Sequence, residues 1–181
     1  MTYCFESIPF DTSSVKRLRQ NNEQNNNIEQ YLRVNNLEFI GLPKIDDNSD
    51  KTNEEVLLEA INTLDLGYEV TSDDIDISHP IPTKRKDGKS ATICKFVSRK
   101  TKFDILDAKK KIKDFRFRAR PIFINEHLSP KNREIFAKTQ IRRKELNYKY
   151  IWSSNGNTFV RKKDGDSIIT IKKLDDIDKL T

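Results

Sequence analysis

Few side chains in this sequence could perform catalysis. The two histidines are His79 and His127. Asp76 lies three positions before His79, and an odd spacing on a strand sends two side chains to opposite faces, which argues against a shared metal site. Glu126 precedes His127, but no serine or cysteine beside the pair is placed as a nucleophile, and the five glycines form no phosphate-binding loop. We therefore expect a protein that is not an enzyme and that uses no metal or cofactor.

Cations alternate with aromatic rings near the C-terminus, a pattern typical of proteins that bind unpaired bases. Each base stacked on an aromatic ring contributes about 1 to 3 kcal/mol whatever the sequence, while neighbouring cations neutralise phosphates. The pattern comprises the rings of Tyr148, Tyr150, Trp152 and Phe159 and the cations Lys149, Arg161, Lys162 and Lys163. Alternatively, some rings form the core of a small unit that has few aliphatic residues, so we expect only Tyr150 or Trp152 to stack on bases.

A second cationic segment covers residues 98–121. An apolar stripe from Ile105 to Phe115 predicts an amphipathic helix, with its lysines largely away from the stripe at Lys102, Lys109, Lys110 and Lys113. Arg116, Arg118 and Arg120 follow at a period of two, which would place three guanidinium groups on one side of a strand. Such a row could follow a phosphate backbone. The alternative is a solvated helix with scattered charges.

Together these segments predict a groove between two units that binds single-stranded RNA or DNA. Its predicted lining consists of Lys95, Arg99, Lys100, Arg116, Arg118, Arg120, Lys138, Arg142, Arg143, Lys149, Tyr150, Trp152, Arg161 and Lys162.

The distribution of charge supports an anionic partner. Residues 44–78 carry two lysines against eleven acidic residues, whereas residues 84–120 carry fifteen basic residues against four aspartates. Residues 121–173 add a balance of plus seven, so one end of the molecule is acidic and the rest is basic. Solubility alone does not require a basic block of this size.

These side chains must be positioned by an α+β fold. Residues 34–125 read as β-α-β-β-α-β, the split ferredoxin-like plan of an antiparallel sheet with both helices on one face. The clearest helix opens with a capping box at Thr52 and Glu55 and ends before Gly67. The four strands are predicted within the segments "NNLEFIGLP", "DIDISHPIP", "SATICKFV" and "RPIFIN".

Residues 126–181 are predicted to form a small basic domain of one helix and a three-stranded antiparallel sheet. Ser129 caps a helix that begins at Pro130 and reaches about Leu146. Asn155-Gly156 and Asp164-Gly165 supply the tight turns between the strands, and a short helix could end the chain. His127 falls in the junction between the two units, where we expect a packed or capping residue.

The N-terminal segment is predicted to contribute little structure. Residues 1–27 end in "QNNEQNNN", which buries too little apolar surface to offset its ordering entropy, so a flexible tail is expected. Residues 28–33 are interpreted as a helical or coiled-coil remnant. Because this coil is short, the sequence argues against a trimer and leaves a homo-oligomer open.

The sheet of the first unit can be tested as an RNA-recognition-motif platform, in which rings on the two central strands stack on bases. Here Glu38, Ala91 and Ile93 occupy the positions where rings would be expected, while Phe39 and Phe96 fall on the core-facing phase. We therefore expect nucleic acid at the edges of this unit rather than on its sheet, since Glu38 would repel phosphate.

Several segments resemble a known family. "IEQYLRVNNLEFIGLP", "ICKFVSRKTKFDILDAKKK", "IFINEHLSPKNREIFAK" and "YKYIWSSNGNTFVRKKDGDSIITIKK" are similar to the C-terminal region of the baculovirus few-polyhedra protein and to the first open-reading-frame proteins of non-LTR retrotransposons. The resemblance covers about residues 28–180. It implies a coiled coil, a noncanonical RNA-recognition-motif domain and a small C-terminal domain that together act as a non-enzymatic nucleic-acid chaperone.

We predict a chaperone-like protein that binds single-stranded RNA within a retroelement or virus-related ribonucleoprotein. The alternative is a protein-interaction scaffold that self-associates through its acidic and basic surfaces. Two distant cysteines suggest a reducing compartment, and the sequence has neither a signal peptide nor an apolar run of bilayer length. We therefore expect an intracellular protein, cytoplasmic or nuclear, without a membrane partner.

Overall fold

The structure, a computed structural model, describes residues 12–43, 45, 50–81 and 90–181. The helices of these ranges are α1 (Thr12–Leu32), α2 (Asn53–Asn62), α3 (Arg99–Lys111) and α4 (Pro130–Glu145). The strands are β1 (Asn36–Ile40), β2 (Ile75–Ile81), β3 (Ala91–Phe96), β4 (Arg116–Phe117), β5 (Arg120–Pro121), β6 (Phe123–Glu126), β7 (Tyr150–Ser154), β8 (Asn157–Arg161) and β9 (Ile169–Ile171). The predicted α+β class is confirmed. None of the described helices is long and apolar enough to cross a membrane.

The first unit is a four-stranded antiparallel sheet in the order β2-β3-β1-β6. On one face Leu37 lies opposite Cys94, Phe39 lies opposite Ile124, and these residues are buried against α2 and α3. Phe96 belongs to the same core. The prediction that Phe39 and Phe96 both face the core is therefore confirmed. Burial also raises the pKa of the Cys94 thiol.

Helix α2 forms where local signals agree. The Thr52 hydroxyl accepts a hydrogen bond from the Glu55 backbone N–H, and the Glu55 carboxylate accepts one from the Thr52 backbone N–H. Its predicted apolar stripe is buried in the core at Leu57, Ala60, Ile61 and Leu64. The predicted helix is therefore confirmed, cap included.

The second unit packs α4 against a three-stranded sheet in the order β7-β8-β9. The Ser129 hydroxyl caps α4 by accepting the Asn132 N–H, and Asn155 and Gly156 adopt the predicted positive φ angles. Tyr148 and Val160 belong to the core of this unit, so part of the aromatic pattern is indeed structural. The predicted final helix is a single 3-10 turn, Leu174–Asp176.

The structure corrects the prediction of a flexible tail. Residues 12–27, expected to be flexible, are helical and continue into residues 28–32 as the single helix α1. The remainder of the predicted tail, residues 1–11, lies outside the described residues. Helix α1 contacts residues about 100 positions away, because Asn26 bonds to Ser129 and Asn132 and Gln30 bonds to Ser129. A helix that is stabilised by such distant residues cannot be recognised from the sequence of its own segment.

A second correction concerns the arginine row. Arg116, Arg118 and Arg120 do not share one strand, because Arg118 and Ala119 have φ angles of 49° and 62° and reverse the chain. The result is the hairpin β4–β5, in which Phe117 lies opposite Arg120. Two consecutive positive φ angles match the turn that joins twisted strands, but Arg-Ala is not a sequence that signals it.

Candidate nucleic-acid interface

A buried ion pair joins the parts of the molecule that surround the candidate interface. The Lys102 ammonium of α3 lies 2.8 Å from the Glu126 carboxylate of β6, and the two side chains are only 2% and 4% exposed. Lys102 also donates to the carbonyl of Val34, which follows α1. Lys102 was expected to face solvent, so this prediction is wrong. A buried ammonium needs a paired and hydrogen-bonded environment, and the structure supplies one.

Glu126 extends this connection into the second unit. Its two carboxylate oxygens accept the backbone N–H groups of Asn155 and Gly156, at 3.0 and 3.3 Å. Helix α3, the end of α1 and the β7–β8 turn therefore converge on a single ion pair. The orientation of the second unit relative to the first depends on these bonds.

His127 completes the junction, as expected. Its Nδ1 lies 3.3 Å from the Asn36 amide nitrogen, and its carbonyl accepts from Gln30. Burial, and then the positive charges of Arg33 and Arg133 and the neighbouring His79, lower the pKa of His127 to about 4. The imidazole is therefore neutral near pH 7 and packs between the units.

The sheet face opposite α2 and α3 is largely covered, since Ala91 and Ile93 are buried on it, and it is less repulsive to phosphate than the sequence suggests. Glu38 is only 12% exposed, and the Arg133 guanidinium of α4 lies 3.7 Å from its carboxylate. Arg133 thus offsets the charge that we expected to repel phosphate. The rings of Phe39 and Phe96 point into the core, so this face offers neither of them to a base.

A cavity of about 430 Å³ separates α3 from β7; we call it the α3–β7 cleft. Its main lining residues are Phe103, Leu106 and Lys110 of α3, Tyr150 and Trp152 of β7, Arg161 of β8, and Ile168. The cleft therefore combines aromatic rings with cations, the lining that suits single-stranded nucleic acid.

Two cations lie over the ring of Tyr150, which lines the cleft. The Arg161 guanidinium is 4.6 Å and the Lys149 ammonium 5.1 Å from the ring centroid. Asp164 accepts hydrogen bonds from the Lys149 ammonium and the Tyr150 hydroxyl, and these bonds, above all the one from Lys149, hold the pKa of that carboxyl below its usual range. The Arg161 guanidinium also lies 3.8 Å from the Asp164 carboxylate, and its side chain is 31% exposed, so a ligand in the cleft can reach it.

Trp152 is stacked on Phe159 across the hairpin, with ring centroids 5.6 Å apart. It therefore contributes one ring face to the hairpin and its remaining surface to the cleft. Tyr148 is buried, as the core interpretation predicts, whereas Tyr150 and Trp152 line the cleft. Their stacking on bases stays a prediction.

The remaining predicted cations do not all meet at this cleft. Arg99 and Lys100 open α3 and have no ion-pair partner within the described part of the chain. Arg116 is paired with Asp114, and Arg118 lies 2.5 Å from Glu59 of the acidic helix α2. Lys95 is paired with Asp76. Arg118 therefore borders the acidic surface, and the three arginines of β4–β5 do not form one phosphate-binding row.

The cations of α4 and the C-terminus serve mixed roles. Lys138 pairs with Glu134, and Arg142 pairs with Glu145 at 3.0 Å on an exposed surface. Arg143 donates to the carbonyls of Tyr148 and Lys149, so it holds the start of β7. Lys162 donates to the Thr181 carbonyl and lies over the Tyr148 ring. Arg120 is exposed on β5.

Sequence reasoning missed several residues of the site. Phe103 and Lys110 line the cleft, and the ion pair of Lys102 and Glu126 supports it. One signal was present, because Lys102 lies three residues before Ile105 and so falls on the apolar stripe of α3. In the described ranges, no group of three or more histidine, cysteine or acidic side chains could hold a metal ion.

One comparison with known proteins bears on this interface. The family model described as Baculovirus FP protein domain 2 matches residues 129–181. The match begins at the cap of α4 and includes β7, β8 and β9, so the predicted resemblance to the few-polyhedra protein is confirmed for the second unit. No curated protein matches the chain.

Proposed function

We propose that this protein, whose second unit matches Baculovirus FP protein domain 2, binds single-stranded RNA and acts without catalysis as a chaperone in a virus-related or retroelement ribonucleoprotein. The α3–β7 cleft is the observation that carries the proposal. Tyr150 and Trp152 offer stacking surface there, and Arg161 and Lys110 supply positive charge. Stacking and phosphate neutralisation together favour unpaired bases over a duplex, whose bases are not free to stack on protein rings.

We also propose that the first unit is a noncanonical RNA-recognition-motif domain with the ferredoxin-like plan. The strand order β2-β3-β1-β6 and the packing of α2 and α3 on one face support this assignment. On the sheet face opposite α2 and α3 the central strands carry Glu38 and Ile93 instead of rings, so the contribution of this unit to binding comes from α3.

Titration of a labelled single-stranded RNA at several salt concentrations tests the binding proposal. Each neutralised phosphate should contribute about −0.7 to the slope of log affinity against log salt. A duplex of the same length should bind more weakly, because its bases are paired. Absence of binding, or an affinity that does not vary with salt, would refute the proposal.

A matched pair of variants locates the binding to the cleft. Arg161→Ala should weaken binding and reduce the magnitude of the salt slope by about 0.7, the contribution of one phosphate contact. Lys179→Ala removes an exposed cation that is paired with Asp176 in the C-terminal segment, so it should leave both quantities unchanged. Equal effects of the two variants would place the RNA elsewhere.

Self-association through acidic and basic surfaces is the second candidate function. A groove of about 830 Å³ beside α2 has Leu58 and Phe117 among its lining, together with the acidic side chains of Glu55, Glu59 and Glu69. Such a groove suits a basic segment of a second copy. A light-scattering mass that rises with protein concentration, while RNA has no effect, would favour this candidate over RNA binding.

A further inference from the structure

A second cavity, which we call the junction pocket, lies where three helices meet the β7–β8 turn. Its volume is about 420 Å³, within the range of about 300 to 1,000 Å³ that is usual for small-ligand sites. The lining comprises Asn27, Gln30, Tyr31, Val34, Arg99, Phe103, Asn132, Asn155, Gly156 and Asn157. Five of these side chains are amides, which present a donor and an acceptor side by side.

The amides of the junction pocket divide into two groups. Gln30 accepts from the Ser129 N–H at 2.8 Å and from the Asn132 amide at 3.1 Å, so these two side chains hold the pocket together. By contrast, the amides of Asn27, Asn155 and Asn157 are exposed and have no hydrogen-bond partner among the residues that the structure describes. These three are available to a ligand.

A ring and a cation accompany the unpaired amides. The Tyr31 side chain is 69% exposed although its helix is packed against the second unit, so the ring offers a stacking surface. Arg99 is the first residue of α3, whose first turn has no acidic residue. The positive end of the helix dipole adds to the Arg99 charge, a combination suited to a phosphate group.

The pocket is rigid on the side of the β7–β8 turn. The backbone N–H groups of Asn155 and Gly156 are held by Glu126, and the Val34 carbonyl is held by Lys102. The backbone that carries the Asn155 side chain is therefore held in place, which helps its amide to discriminate between ligands by hydrogen bonding.

We infer that the junction pocket binds one unpaired adenine base of the RNA strand that occupies the α3–β7 cleft. Phe103 lines both cavities, so a strand in the cleft can place its next nucleotide in the pocket. An asparagine amide pairs bidentately with N6 and N7 of adenine, while Tyr31 stacks on the base and Arg99 contacts its phosphate. This inference rests on the proposed function and adds base selectivity to it.

The test compares an all-uridine dodecamer RNA with the same RNA carrying one central adenosine, at one salt concentration. The full chain should bind the adenosine-containing RNA about fivefold more tightly or better, as expected for a bidentate amide contact. The double variant Asn27→Ala/Asn157→Ala should lose this preference and keep its salt slope. Asn155→Gly should also reduce it, because glycine tolerates the φ angle of 51° at that position.

Asn21→Ala provides the control. Asn21 is exposed and lies in α1, as Asn27 does, but it does not line the pocket. It should keep the preference for adenosine. Equal affinities of the wild-type chain for the two RNAs, with a normal salt slope, would overturn the adenine pocket and leave RNA binding intact. A preference that survives both the double variant and Asn155→Gly would also overturn it. Failure to bind either RNA would overturn both proposals.

Discussion

At the scale of single residues, the ion pair of Lys102 and Glu126 is the most consequential feature. Loss of one partner leaves the other charge buried and unpaired, which costs about 3 to 5 kcal/mol. We therefore expect Lys102→Met to lower the free energy of unfolding by an amount in that range. Urea denaturation followed by Trp152 fluorescence measures the change.

The double variant Lys102→Met/Glu126→Gln is the control for that prediction. Glutamine keeps a carbonyl oxygen for the N–H groups of Asn155 and Gly156 but removes the charge. The double variant should accordingly be more stable than Lys102→Met alone. If both variants unfold at the same urea concentration, the unpaired charge is not the cause of the loss.

His127 predicts a pH dependence of stability. Its folded pKa of about 4 lies below the ordinary value of 6.5, so the unfolded chain binds the proton more tightly between these values. Stability should therefore fall as the pH is lowered from 6.5 toward 4. Thermal melts of His127→Gln should show a flatter dependence between pH 6.5 and 5, above the range in which most carboxyl groups titrate. An unchanged pH profile would contradict the assignment.

At the scale of elements, the β7–β8 turn depends on Gly156. Its φ angle is 78°, and a Cβ at this position would overlap the side chain of Gln30. We expect Gly156→Ala to cost the strain of a left-handed residue, about 1 to 2 kcal/mol, and additionally to displace α1. Thermal denaturation and the helical circular dichroism signal measure the two effects.

Gly165 provides a matched control for that substitution. Its φ angle is 84°, but a Cβ there would meet no atom within 4 Å. Gly165→Ala should therefore cost the backbone strain alone and leave the helical signal unchanged. Equal losses in the two variants would show that the approach of the turn to α1 contributes nothing to stability.

Elements differ in how far the sequence predicts them. Helix α2 was predictable because its cap and its apolar stripe lie within a dozen residues of one another. Helix α1 was missed because its stabilising partners are residues 129 and 132, and the hairpin β4–β5 was missed because Arg118 and Ala119 do not usually form such turns. Local patterns therefore predict only those elements whose stabilising contacts are local.

At the scale of the whole molecule, the adjacent residues Arg142 and Arg143 are expected to have different roles. We expect Arg142 to contribute to RNA binding and Arg143 to the stability of the fold. The Arg142 side chain is 39% exposed and, within the described part of the chain, pairs only with Glu145 at 3.0 Å, whereas Arg143 donates to the carbonyls of Tyr148 and Lys149. The double replacement by alanine should weaken RNA binding for all sequences and flatten its salt dependence.

The single variants Arg142→Ala and Arg143→Ala show which of the two residues causes the change in RNA binding. Arg142→Ala should change the salt slope and leave the melting temperature unchanged, because exposed ion pairs contribute little to stability. Arg143→Ala should lower the melting temperature, since two backbone carbonyls lose a donor. An unchanged slope in Arg142→Ala would exclude the exposed face of α4 from the RNA-binding surface.

The sequence by itself determined the α+β class, the capped helices and the separation of acidic from basic segments. Periodicity, capping residues and charge are local properties, so they can be identified in a single chain. The resemblance of the C-terminal segment to the few-polyhedra protein was likewise carried by contiguous residues, and the match over residues 129–181 agrees with it.

Only the tertiary structure decided which charges remain available. It buried Lys102 against Glu126, paired Arg118 with Glu59, and brought Tyr31, Arg99 and Asn155 to one pocket. Each of these outcomes depends on contacts between residues that are far apart in sequence. A cation that is buried in an ion pair, as Lys102 is, cannot reach a ligand, and its burial is set by three-dimensional packing.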